Sequence, residues 1–173
     1  MATYSLISSV TVGSGGAANI TFSSIPSTFT DLCLVTSARS NVAGTYGTGF
    51  YLEFNGSGGT AYNTRALEGY STSVGSYATT GFSALNLGAV VGTSQTANTF
   101  NNTQIYIPNY AGSNNKSASI DNVQENNSST AWDNNISAGL WSNTSAITQI
   151  KLTANTGSFV QYTTAYLYGI SNA

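Results

Sequence analysis

Apolar and polar residues alternate with a period of two along much of this chain. In Asn19-Ile20-Thr21-Phe22, Ile20 and Phe22 share one face. Phe50, Leu52 and Phe54 alternate with Tyr51 and Glu53, and Ile105 and Ile107 flank Tyr106 before Pro108 stops the run. Ile136, Ala138 and Leu140 alternate with Ser137 and Gly139, while Ile150, Leu152 and Ala154 oppose Gln149, Lys151 and Thr153. Ala165 and Leu167 alternate with Tyr166 and Tyr168. Successive side chains of a strand point to opposite faces, so each run predicts a half-buried strand. Between the runs stand Gly13-Ser14-Gly15-Gly16, Asn55-Gly56-Ser57-Gly58-Gly59, Gly112-Ser113-Asn114-Asn115, Asn126-Asn127-Ser128-Ser129 and Asn155-Thr156-Gly157. These supply the positive-φ residues of tight turns. No stretch holds a helical stripe, so no long helix is expected. Residues 42–49 and 71–81 are so rich in Gly, Ser and Thr that long loops and glycine-weakened strands both fit. About eight to ten short strands predict an all-β fold, an antiparallel, jelly-roll-like β-sandwich forming one domain over residues 1–173.

Charge changes the picture. Only 6% of the 173 residues are Asp, Glu, Lys or Arg, against about 25% in ordinary soluble domains. The polar surface is therefore Ser, Thr, Asn and Gly, which repels little and packs against copies of itself with little desolvation of charge. The four basic residues, Arg39, Arg65, Lys116 and Lys151, do not cluster. Nucleic-acid affinity scales with phosphates neutralised, so no nucleic-acid partner is expected. The apolar runs are too short to span a bilayer, and Met1 is not followed by the charged head and apolar core of a signal peptide, so no membrane partner is expected. Cys33 lies in Leu32-Cys33-Leu34-Val35 and reads as a small buried hydrophobe in a strand.

Candidate chemistry is sparse. The chain has no histidine, which removes Ser-His-Asp and Cys-His systems and the commonest zinc ligand. Glu53 and Glu68 could be brought together by a hairpin, as a glycosidase requires. The plainer reading makes Glu53 the outward residue of its strand, paired with Arg65. Asp121, Asn122, Glu125, Asp133, Asn134 and Asn135 form an oxygen-rich cluster of the kind calcium takes on loops, but such residues more often cap turns. The Gly-rich runs lack the Gly-Lys-Ser/Thr of a phosphate loop. No catalytic residue, cofactor or metal is expected. The aromatics are the remaining candidates: there are eleven tyrosines, and Tyr46, Tyr51, Tyr62, Tyr70, Tyr77, Trp132 and Trp141 could line a protein or carbohydrate interface. Packing in the sandwich core is the alternative for each.

Three segments carry a family resemblance. The first is Ile20-Thr21-Phe22-Ser23-Ser24-Ile25-Pro26-Ser27-Thr28-Phe29, continuing through Val35 to Asn41. The second is Gln104-Ile105-Tyr106-Ile107-Pro108-Asn109-Tyr110-Ala111. The third runs from Leu140-Trp141 through Ala146-Ile147-Thr148 and Gly157-Ser158-Phe159 to Leu167-Tyr168-Gly169-Ile170. Taken in order, they resemble a group of tailed-bacteriophage virion proteins that includes those of marine and cyanobacterial phages. The resemblance leaves out residues 42–100. It implies a β-sandwich virion component in which Pro26 and Gly169 fix turns, Ile25, Trp141 and Ile147 are core, and no catalytic residue is carried over. The expectation is a capsid auxiliary protein, of decoration, cement or knob-like type, on the head surface. Its partners would be the major capsid protein and copies of itself in a symmetric homo-oligomer such as a trimer. The rival expectation is a tail-fibre or receptor-binding module, joined to tail proteins and recognising host glycans. A lectin-like or enzymatic sandwich unrelated to particles is a distant third.

Overall fold

A computed structural model describes residues 2–44, 47–70, 72–125 and 133–171. In chain order the strands are β1 (Thr3–Thr11), β2 (Asn19–Phe22), β3 (Asp31–Ala38), β4 (Thr48–Phe54), β5 (Tyr62–Tyr70) and β6 (Ser73–Phe82). They continue with β7 (Leu85–Val90), β8 (Asn101–Pro108), β9 (Lys116–Gln124), β10 (Asp133–Trp141), β11 (Ile150–Ala154) and β12 (Thr164–Ser171). Among the described residues there is no helix. Eight strands form one sheet in the order β1-β12-β3-β8-β9-β10-β5-β6, and four form a second in the order β2-β11-β4-β7. All the strand pairings are antiparallel. The expected antiparallel β-sandwich is therefore present, with twelve strands where fewer were expected.

The core lies between the two inner faces. Phe22, Phe50, Leu52, Phe54, Leu85, Leu87, Ile150 and Leu152 of the small sheet meet Leu32, Leu34, Ile105, Ile107, Ile120 and Leu167 of the large one. At its centre Phe54 packs against Trp141 with ring centroids 5.4 Å apart, and Tyr62 stacks on Trp141 at 6.1 Å. Tyr62 donates its hydroxyl to Phe54 O (3.2 Å) and accepts from Phe54 N (2.8 Å), so its polar end is satisfied inside the core. Ile25, Trp141 and Ile147 are buried as the resemblance implied. Cys33 is buried in β3, and burial pushes its thiol pKa up.

Two expectations change and one open reading is settled. In β10 the buried face is Ser137, Gly139 and Trp141, while Ile136 and Leu140 point to solvent. Alternation identifies the strand but not which face is inward, and the small sheet covers the other one. The Gly/Ser/Thr-rich stretch after residue 71 forms β6, a ten-residue strand held by pairing with β5. Gly169 is not a turn residue: it lies within β12, opposite Leu32 of β3. A Cβ there would overlap the ring of Phe29, so the glycine makes room for that aromatic.

Along the central strands the inner face is apolar at one end and polar at the other. Ile105 and Ile107 give way to Asn101 and Thr103 in β8, and Ala118 and Ile120 to Asn122 and Gln124 in β9. Gly139 and Trp141 give way to Asp133, Asn135 and Ser137 in β10. Asn122 ties this end together: its Oδ1 accepts from Asn101 and Thr103, each at 2.7 Å, and its Nδ2 donates to Ala89 O at 2.9 Å. Strand β7 runs close above. A Cβ at Gly139 would lie 2.9 Å from Leu85 Cδ2, and one at Gly88, whose φ is +96°, would lie 2.7 Å from Asn122 Nδ2.

Two of the four cations are structural. The buried Arg39 guanidinium donates to Gln95 O, Thr96 O and Thr99 O, clamping the 95–99 loop. Lys116 donates to Gly112 O and Asn114 O, and burial lowers its pKa.

Replacing Gly88 by Ala combines a left-handed backbone with overpacking and should lower unfolding stability by about 2–4 kcal/mol in urea titration. Gly15→Ala meets open space and should change stability by no more than about 0.5 kcal/mol.

Candidate functional site

The small sheet ends at β7, which pairs on one side only, with β4. Beyond it the large sheet continues through β5 and β6. A cleft of about 380 Å³ opens along this free edge, lined by Gly49, Tyr51, Asn86, Gly88 and Ala89 on one side and by Glu68, Tyr70, Tyr77 and Asp133 on the other. Strand pairing places these groups. Asn135 of β10 is opposite Glu68 of β5, and Ala66 of β5 is opposite Tyr77 of β6. Gly75 of β6 is opposite Glu68, and a Cβ there would lie 3.3 Å from Glu68 Oε1 and 3.4 Å from Tyr70 Cε1. The missing side chain thus leaves the space in which both cleft residues lie.

Asp133 is only 8% exposed, and its Oδ1 has no hydrogen-bond partner. The backbone N–H of Ala89 lies where it favours the charged carboxylate. Gln124, opposite it on β9, is also buried with both amide atoms unpartnered and does not bond it. Burial first, and then the negative charge of Glu68, push the Asp133 pKa up to about 6, with the Ala89 N–H opposing them. Asn135 Nδ2 donates to the Tyr77 hydroxyl at 3.0 Å, and burial raises the pKa of that phenol. Neither Glu68 nor Asp133 has an ion-pair partner among the described residues. An unpaired buried carboxylate is costly and concentrates at functional sites.

The structure sorts the aromatic candidates. Tyr51, Tyr70 and Tyr77 converge on this cleft. Tyr62 and Trp141 do not reach the surface: both are wholly buried, because Tyr62 finds its polar partner on Phe54 and the two rings stack. Tyr46 and Trp132 lie outside the described residues.

Glu53 and Glu68 are not brought together. Glu53 lines a second cavity with Lys151, and the Lys151 Nζ lies 2.5 Å from Glu53 Oε2, so its partner is Lys151 and not Arg65. Arg65 instead donates to Thr64 O and Thr79 O. The pairing follows from β4 and β11 being neighbours, with Lys151 directly opposite Glu53. The oxygen-rich set is divided by strand alternation: Asn122, Asp133 and Asn135 face inward, whereas Asp121 and Asn134 face out. No group of three or more His, Cys, Asp or Glu side chains is placed to hold a metal among the described residues.

In comparisons with known proteins, no family model matches this sequence and no curated protein matches it.

Asp133 gives a signed pH effect. Its pKa is higher in the folded chain than in the unfolded one, so the folded state is favoured by protonation, and this contribution is lost as pH rises from about 4 through 6. Asp133→Asn should therefore be more stable than the parent at pH 8 by about 2–3 kcal/mol and should lose that slope, as read from denaturation midpoints across pH.

Proposed function

We propose that this chain is a structural component of a bacteriophage particle, a capsid auxiliary protein of the decoration, cement or knob-like type. It binds through a sheet face to the major capsid protein and to copies of itself. The observation that carries the reading is the outer face of the large sheet. Leu67 and Ile136 stand directly opposite each other on β5 and β10, 62% and 67% exposed. Val123 on β9 and Val74 on β6 flank this pair, and Leu140 lies further along β10. Exposed apolar side chains grouped on a sheet face mark a place of contact, since their burial contributes about 25 cal/mol per Å². The charges on these strands' outward positions are Arg65 and Asp121, the latter directly opposite Ile136, and a docking neighbour would have to meet them with polar groups. The resemblance at the Ile20, Gln104 and Trp141 segments supports placing that neighbour in a phage particle.

The test is immunogold labelling of purified particles with antibody raised against the chain. Gold spread over the head is expected. Gold confined to the tail would favour the tail-fibre or receptor-binding reading, and particles free of label would overturn both.

The apolar face also makes a solution prediction. The purified chain should sediment as an oligomer, and Leu67→Thr combined with Ile136→Thr should shift it to monomer while changing the unfolding free energy by no more than about 1 kcal/mol, since both residues are exposed and threonine keeps the strand preference. Sedimentation-velocity profiles of the two proteins check this.

A further inference from the structure

The cleft beside β7 is a second surface, on the opposite side of the large sheet from the apolar face, and its chemistry is different. Two carboxylates, Glu68 and Asp133, share it with the rings of Tyr51, Tyr70 and Tyr77. We propose that this cleft binds an organic cation bearing N–H donors, an alkylammonium or guanidinium head, with Asp133 and Glu68 as its counter-charges and the tyrosines as its walls.

Four observations carry it. The two carboxylates line one cleft, and the chain's own cations are committed elsewhere. Arg39 and Lys116 are bonded to loop carbonyls, Arg65 to strand carbonyls, and Lys151 to Glu53. Asp133 Oδ1, in a side chain more than nine-tenths buried, lacks any donor. A cationic head in the cleft would supply the positive charge that both carboxylates lack.

Tyrosine rings attract cations through their faces, more strongly when the site is desolvated. Finally, the volume of about 380 Å³ accommodates such a head with an alkyl stem.

Other ligand chemistries fit less well. A neutral sugar would offer hydroxyl donors but would leave the repulsion between the carboxylates in place. A quaternary ammonium would bring charge with no N–H for Asp133. Calcium takes six to eight oxygens, and the described residues offer no third acidic ligand in this group.

The cation could be a free amine or the Lys or Arg side chain of a partner protein. Both present the same head, and small probes test that head directly. Isothermal titration of the full chain at pH 8 with n-butylammonium and n-butylguanidinium should give saturable binding at one site. Tetramethylammonium should bind at least about tenfold more weakly, and 1-butanol, N-acetylglucosamine and calcium chloride should not bind. Asp133→Asn and Glu68→Gln should each weaken the amine at least tenfold, whereas Glu53→Gln, in the other cavity, should leave binding unchanged. The titratable groups facing Asp133 are Glu68 of β5 and the phenols of Tyr51, Tyr70 and Tyr77. Binding should accordingly fall about tenfold from pH 8 to pH 5 as Asp133 takes up a proton.

Absence of amine binding overturns the proposal, as does equal binding of 1-butanol or persistence of full affinity in both cleft variants. Sugar or calcium binding in place of amine binding also overturns it. Circular dichroism accompanies each variant. Should Asp133→Asn misfold, Glu68→Gln, on a more exposed side chain, decides the question. A competing peptide rich in lysine or arginine, set against a free diamine, then distinguishes the two sources.

Discussion

Neighbouring strands lie about 4.8 Å apart, so four strands cover a much narrower strip than eight. The small sheet can seal only part of the large one. It does so over the centre, where β7 lies against β9, β10 and β5, and the approach is close because Gly88 and Gly139 carry no side chains. Past β7 the inner face of β6 and of the Glu68–Tyr70 end of β5 is left without a facing sheet. The cleft arises at this boundary, next to the polar ends of β9 and β10. Beside the cleft, Asn101, Thr103, Asn122 and Asn135 are wholly buried, and their side chains bond one another, their neighbours or β7.

That polar end is largely satisfied, which makes its exceptions informative. Asp133 and Gln124 are opposite each other, buried and short of partners. A carboxylate so placed next to Glu68 destabilises the fold near neutral pH, whereas an asparagine in the same position would not. The apolar end of the same strands shows the contrast: Phe54, Tyr62 and Trp141 fill the space between the sheets and the Tyr62 hydroxyl is bonded to the backbone. Unpartnered buried groups occur at both ends, Trp141 Nε1 at the apolar one and Asp133 and Gln124 at the polar one, but only Asp133 carries a charge.

The residues of the cleft were visible in the sequence one at a time, but not as a set. Tyr51, Tyr70 and Tyr77 stood out as aromatics in a chain poor in charge, and Glu68 and Asp133 as rare acids. Their grouping was not legible. Glu68 was weighed with Glu53, its nearer acidic neighbour in sequence, and Asp133 with the Asn and Asp residues around it. What unites Glu68 with Asp133 is the β5–β10 register, which spans about sixty residues of chain. What parts Glu53 from Glu68 is that β4 and β5 belong to different sheets. Tyr62 resembled the other tyrosines in sequence and differs from them only in finding Trp141 and Phe54.

By itself the sequence determined the class of structure. Period-two alternation, turn residues between the runs and the lack of a helical stripe leave strands as the only regular element that buries these side chains, and they do so locally. The scarcity of charge was equally plain and bears on how the surface can pack. Only the tertiary structure decided which face of each strand turns inward, because alternation is symmetric between the two faces until a second sheet covers one of them. In β10 both faces carry apolar residues, and the covered one proved to be that of Trp141, with Ile136 and Leu140 left outside. The glycine-rich β6 likewise became a strand through its ladder with β5 and not through its own propensity. Long-range pairing settled each of these points, since burial and register are properties of two strands together and no single strand encodes its partner.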